Sequence, residues 1–274
     1  MKNMVFENYK NKHEGERVFI IANGPSLKDT DLDILENEVT IAMNRISLIY
    51  DKNPKWKPTY YLFSSTNVRP DKPWGAEWTS SVREAISKEE TTSFVAYQFK
   101  NYIDPTNQFP KVKWFSSMTE TKPTQEGILS DSSFSTDIVE SIDKSGTTMN
   151  LALQLCYHMG FSEIVIVGAD LGWSKDLGTK SDPNHFVESY RADIPKPEKV
   201  NHQMRNVHSL AKKRFSERGC GTKIYNASLS TVLDVYPIIN YEKYVSKKEV
   251  LVEEDRVEKA KSFWDRPHQF QGDA

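Results

Sequence analysis

The chain is poor in the residues that cross-link or ligate. Its two cysteines, Cys156 and Cys220, in 274 residues make neither a disulfide framework nor the paired spacing of a metal site. No apolar run approaches the roughly 20 residues needed to cross a bilayer. The opening stretch MKNMVFENYKNKHEGER has no apolar core of the signal-peptide kind. A formal charge of -2 lacks the positive excess that a nucleic-acid partner demands. No G-x-x-x-x-G-K-[ST] loop, G-x-G-x-x-G fingerprint, G-x-S-x-G elbow, Cys/His cluster or internal repeat is found. These absences predict a soluble, cytoplasmic protein without a nucleic-acid partner and without the commonest triphosphate, dinucleotide and acyl-transfer signatures.

What is present centres on residues 145–173, SGTTMNLALQLCYHMGFSEIVIVGADLGW. Ser145, Gly146, Thr147 and Thr148 suit a helix start whose first amides stay exposed. Met149, Ala152, Leu153 and Cys156 recur at helical spacing, and Leu151 and Leu155 widen the stripe enough to predict a buried helix. Gly160 followed by Phe161 is a left-handed stop with an apolar contact behind it. The β-branched run IVIV at 164–167 reads as a parallel strand covered on both faces. It runs into Asp170, where open α/β sheets place ligand groups; a turn-capping carboxylate is the other reading.

Earlier strands end in the same manner. VFIIA at 18–22 leads into Asn23, Gly24, Pro25 and Ser26, a small-residue turn that serves either as a phosphate or nucleotide cradle or as a plain tight turn. A short helix is expected at 31–35 and a strand at 39–43. Asn44 then offers both a donor and an acceptor, and Arg45 a partner for phosphate or carboxylate; a turn asparagine beside a solvated arginine is the other reading. Further strands are expected at 60–63, 93–97 and 112–115, a loop at 68–80, a helix at 81–88, and a long polar stretch at 118–141. Residues 172–199 are polar and read as a lid. The helix at 200–218 stops at Gly219, and a late strand runs 222–226.

The fold class is therefore α/β: a single doubly wound Rossmann-like domain with a mostly parallel sheet, a lid segment and a helical tail. Its nucleotide-binding part is expected over 1–240. The charged tail is expected over 241–274 and helical at 247–264. His185 is the candidate acid–base group, because imidazole titrates near neutrality and Asp182 is close enough to orient it. His202 and His208 lie on an amphipathic helix and read as packing or surface residues.

The stretches IIANGPSL, AMNR, SGTTMNLALQLCYHMGFSEIVIVGAD, DPNHF and IYNAS, in that order over 18–237, resemble the MptE-like domain family. They also resemble the related bacterial sialyltransferases of glycosyltransferase family 42. The latter resemblance implies that Asn23, Gly24, Pro25, Ser26, Asn44, Ser145 and Gly146 hold a CMP-linked nonulosonic acid, with Asp170 as the strand-end acid. The chain departs from that pattern in three places. Ile142 stands where the sialyltransferases have an arginine, and Gly172 where they have a tyrosine. Their lid histidine falls nearer Ser189 than His185. Tyr190 is the substitute for the missing tyrosine, and Tyr190 and Arg191 are the expected phosphate donors.

The function these features imply is an inverting, sialyltransferase-like glycosyltransferase of surface-glycan synthesis. It would take a nucleotide-sugar donor and a glycan or lipid-linked acceptor, with no cofactor required. Mg²⁺, self-association and attachment at the inner face of a membrane stay open. Two alternatives stand beside it. One is an MptE-like 6-hydroxymethylpterin diphosphokinase using ATP and Mg²⁺, for which Asp170, Asp176 and Asp182 are the available carboxylates. The other is a non-catalytic nucleotide-binding module.

Overall fold

Strand β1 (Arg17–Ile21) buries four of its five residues, and β2 (Thr40–Met43) and β3 (Tyr60–Phe63) bury every one. Continuous apolar runs of this kind are tolerated only where helices and loops cover both faces of a sheet. The computed structural model describes residues 2–116, 118–124, 128–173, 182–190 and 197–265. After β3 come α1 (Gly75–Ile86), β4 (Thr92–Ala96), α2 (Lys100–Ile103) and β5 (Lys113–Phe115). A small parallel pair follows, β6 (Met118–Thr119) with β7 (Ile142–Asp143). The chain then forms α3 (Thr148–Met159), β8 (Glu163–Val167), α4 (Pro197–Glu217) and β9 (Lys223–Asn226), and ends in α5 (Tyr241–Lys247) and α6 (Glu254–Trp264).

The main sheet has seven strands among the described residues, in the order β5-β4-β3-β2-β1-β8-β9. Every pairing in it is parallel. This is the α/β, Rossmann-like architecture that the alternation of apolar runs and helices implies. The chain walks outward from β1 to β5, then returns to the other side of β1 to lay down β8 and β9. β1 and β8 run in register from Arg17 opposite Glu163 to Ile21 opposite Val167. The winding reverses between them, so the connections leaving their carboxyl ends diverge and open a crevice.

Helix α3 forms as its sequence dictates. The Thr147 side chain accepts from the Met149 amide, Gly160 adopts a φ of 86°, and its amide closes on the Cys156 carbonyl. All of its residues except half-buried Tyr157 are buried. In β8, Ile164, Val165, Ile166 and Val167 are fully buried, each contributing roughly 1.5–3 kcal/mol relative to an exposed side chain.

Two expectations are corrected. The helix expected at 81–88 begins at Gly75, inside the stretch taken as loop. Trp78 is buried there against Phe63 and Tyr190, and those distant partners decide the boundary. A Cβ on Gly75 would fall 2.3 Å from the Arg69 carbonyl oxygen, so only glycine lets the preceding loop fold back onto the helix start. The tail is not one helix over 247–264. Lys248 ends α5 in a left-handed conformation, Val252 bridges to Ile239, and α6 starts afterwards. Residues 266–274 of the expected tail lie outside the described residues. Among the described residues no helix is long and apolar enough to cross a membrane.

Candidate functional site

The turn after β1 is tied to the turn after β8. The Ala22 amide donates to the Val167 carbonyl at 2.8 Å and the Gly24 amide to the Gly168 carbonyl at 2.7 Å. Asp170 then receives both the Ser26 amide and the Ser26 hydroxyl, each at 2.6 Å. Gly24 has an ordinary φ of −68°, so conformation does not require glycine there. Close approach does: a Cβ would sit 2.5 Å from the Gly168 oxygen and 2.7 Å from Asp170 Oδ2. Pro25 opens a 3₁₀ turn over Pro25–Asp29, and Ser26 serves as the strap to Asp170. Burial pushes the Asp170 carboxyl up to about 6, opposed by the two bonds from Ser26 and by the charge of Arg256.

Asn23 and Asn44 stand at the ends of neighbouring strands. Asn23 Nδ2 donates to the Met43 carbonyl at 3.3 Å, and its Oδ1 is buried without a hydrogen-bond partner. Asn44 sits at a φ of 56°, a left-handed conformation that asparagine adopts more readily than most residues. Its carbonyl accepts from the Tyr61 hydroxyl at 2.6 Å, and its Oδ1 accepts from Thr148 at 3.1 Å.

Over these strand ends lies the segment 182–190. His185 Nδ1 and Asp182 Oδ2 are 2.9 Å apart, and both side chains are buried. The His185 ring stacks on Tyr190 with centroids 3.8 Å apart and planes 5° from parallel. Burial pushes the Tyr190 hydroxyl well above the usual tyrosine range, against the pull of Arg45 and a hydrogen bond with Asn44. The segment is fastened at its middle and at its carboxyl end. The Phe186 amide donates to the Asn23 carbonyl at 3.2 Å. Arg45, buried and lying over the Trp78 and Tyr190 rings, donates to the Ser189 and Tyr190 carbonyls and to the Ser81 hydroxyl. Arg45 therefore clasps this segment instead of facing a phosphate.

Asn23, Gly24, Asn44, Asp170, His185 and Tyr190 line one cavity, together with Thr147 from the start of α3 and Met204 and His208 from α4. Ser145 and Gly146 are not among its lining residues. Ser145, fully buried, donates to Asp143, and its carbonyl accepts from Gln203 at 2.6 Å. A Cβ on Gly146 would meet that same Gln203 amide at 2.4 Å. The pair anchors the start of α3 to its surroundings and presents Thr147 to the cavity. Asp143, unremarked in the sequence, is the hub of that anchor, accepting also from the hydroxyls of Thr119 and Thr121 at 2.8 Å each. Arg191 and Asp176 lie outside the described residues, as does much of the expected lid.

The cavity holds about 100 Å³, against the ~300–1,000 Å³ typical of sites that enclose a small molecule. No lysine or arginine is among the described lining residues, so those residues offer an anion only neutral donors. For Mg²⁺ the fit is poor: Asp170 is committed to Ser26 and Asp182 to His185. No group of three potential metal ligands occurs among the described residues.

No protein-family model matches the chain, and no curated protein does. The MptE-like resemblance thus gains no support. Among solved structures, the chain is similar to the sialyltransferase CstII from Campylobacter jejuni in complex with the substrate analogue CMP-3FNeuAc. That match is 14% identical, covers 91% of this chain and 98% of that one, and has a TM-score of 0.41. A CST-II variant in complex with CMP is 16% identical over 77% of this chain and 80% of that one, with a TM-score of 0.38. CstII from Campylobacter jejuni with cytidine-5'-monophosphate is 12% identical over 82% and 85% of the two chains, with a TM-score of 0.32. Overlaps of this quality assign neither activity nor residue roles.

Proposed function

We propose that the chain is a glycosyltransferase taking a nucleotide-activated sugar, in the first place a CMP-nonulosonic acid, and passing it with inversion to a glycan or lipid-linked acceptor. One observation carries this reading: a buried Asp182–His185 pair set against a cavity at the carboxyl ends of β1, β2 and β8. Asp182 holds Nδ1 as the donor, so Nε2 keeps the lone pair that can take a proton from an acceptor hydroxyl. The Tyr190 hydroxyl, the Asn44 amide and the first amides of α3 would serve the departing phosphate as neutral donors. Asn23, Gly24 and Asp170 would form the floor, with Pro25 and Ser26, which do not line the cavity, bracing the turn behind them and Ser145 and Gly146 fixing the α3 start behind Thr147. The same proposal takes 1–240 as the catalytic unit and 241–274 as an appended tail, and places the protein in the cytoplasm.

His185→Ala tests the reading. Turnover with a CMP-activated sugar should fall by roughly two to four orders of magnitude while affinity for CMP holds. Full turnover in that variant removes His185 from the chemistry. The diphosphokinase alternative needs carboxylates free to hold Mg²⁺ between phosphates, and the two near the cavity are already engaged.

A further inference from the structure

The wall that α4 gives to the cavity carries chemistry the reading above leaves unused. His208 is buried there. Its Nδ1 lies 3.3 Å from the Tyr236 hydroxyl, and that hydroxyl donates to the His208 carbonyl at 2.9 Å. A phenol has a single proton. Spent on the carbonyl, it leaves the phenol oxygen only an acceptor towards the ring, so Nδ1 carries the hydrogen and Nε2 the lone pair. The opposite tautomer would set two lone pairs against each other. Burial pulls this imidazole down to about 3, which keeps it neutral throughout the physiological range. Tyr236 also packs edge-on against the ring, with centroids 5.5 Å apart and planes at 83°, which fixes its plane. Across the cavity, Asn23 has committed its amide nitrogen to Met43 and holds Oδ1 buried and unpartnered.

We propose that His208 reads the ligand: its Nε2 accepts a hydrogen bond from a hydroxyl or amino group of the bound molecule, with Asn23 Oδ1 as a second fixed acceptor. Two acceptors that cannot become donors select a molecule that brings donors to both, such as a ribose or sugar polyol or an amino-bearing base. A ligand offering only acceptors would strand them. Leaving buried polar groups unpaired is what gives hydrogen-bonding pockets their discrimination. The inference deepens the nucleotide-sugar reading and rests on it for the ligand's identity, though not for the state of the ring.

The test is ¹⁵N-imidazole NMR on the full chain, with the His208 signals identified by their loss in His208→Gln. Without ligand, Nδ1 should be protonated and Nε2 bare, with no titration between about pH 5 and 8. Tyr236→Phe should mix the tautomers. On saturation with CMP, or with ribose as a probe bearing only hydroxyl donors, the Nε2 resonance should move while Nδ1 stays. His208→Phe should weaken binding of whichever probe moves it by about three- to tenfold. A protonated Nε2, a ring that titrates in that window, or an Nε2 unmoved by both probes overturns the proposal. Movement with ribose but no binding of CMP overturns the nucleotide reading and supports this one.

Discussion

Asp170 gives the sharpest quantitative handle on the site. Its carboxyl is 6% exposed, and burial raises it to about 6, whereas an unfolded chain holds aspartate near ~3.9. Well below about pH 4 the group is neutral in both states and costs nothing. As pH rises from about 4 to about 6 the unfolded chain ionises while the folded state resists holding a desolvated carboxylate, and the difference of about 2 pH units converts to about 3 kcal/mol lost from stability. The loss is complete above about pH 6.5. Asparagine has the same shape. Its Oδ1 can still accept from the Ser26 amide, and its Nδ2 can donate to the Ser26 hydroxyl, which accepts as readily as it donates. Asp170→Asn should therefore be comparable to the parent at pH 4 and more stable than it by about 3 kcal/mol at pH 7. Urea unfolding of both proteins from pH 4 to 7 gives the difference directly and cancels the titration of every other carboxylate. A difference that stays constant with pH would refute the reasoning, because Asp170 would then ionise without a desolvation cost.

The remaining expectations concern the turn, the clasp and the base. Gly24→Ala drives a Cβ into a backbone oxygen and a buried carboxylate, neither of which can retreat, and should cost about 3 kcal/mol. Gly219→Ala, which meets nothing within 4 Å and pays only for its positive φ, should cost about 1 kcal/mol; thermal or urea melts separate the two. Arg45→Met removes the charged donor from the Ser189 and Tyr190 carbonyls and should cost about 2 kcal/mol. Arg45→Lys should recover little of this, since an ammonium cannot span the same partners. Hydrogen exchange should show the loss concentrated at 182–190. The His185→Ala turnover experiment completes the set.

Local rules went far along the main sheet. The apolar runs at 18–22, 60–63 and 164–167 predicted β1, β3 and β8 to within a residue, because strands covered on both faces leave an uninterrupted mark in sequence. The run 145–148 and Gly160 marked the ends of α3 for the same local reason, and the polar groups at the ends of β1, β2 and β8 were found to share one cavity. What sequence could not show was set by partners far along the chain. Trp78 extends α1 back to Gly75 because Phe63 and Tyr190 receive it. Arg45 was read as an anion's partner until Ser189 and Tyr190 claimed it. Ser145 is tied to Asp143 and Gln203, and Gly146 lies against Gln203. His208 was read as a packing or surface residue of α4, and only its partner Tyr236 fixes its tautomer. A polar side chain's direction follows from which buried group needs it, and spacing holds no record of that.

Under the proposed function, the cavity between β1, β2 and β8 receives a cytidine nucleotide. Calorimetric titration of the full chain with CMP, CDP, UDP, GDP and ATP, with and without Mg²⁺, tests it most directly. Saturable binding of CMP is expected, at least roughly tenfold tighter than ATP, and weakened by roughly tenfold in Asn44→Ala for about one lost hydrogen bond. Tight binding of ATP with Mg²⁺ and no response to CMP would contradict it.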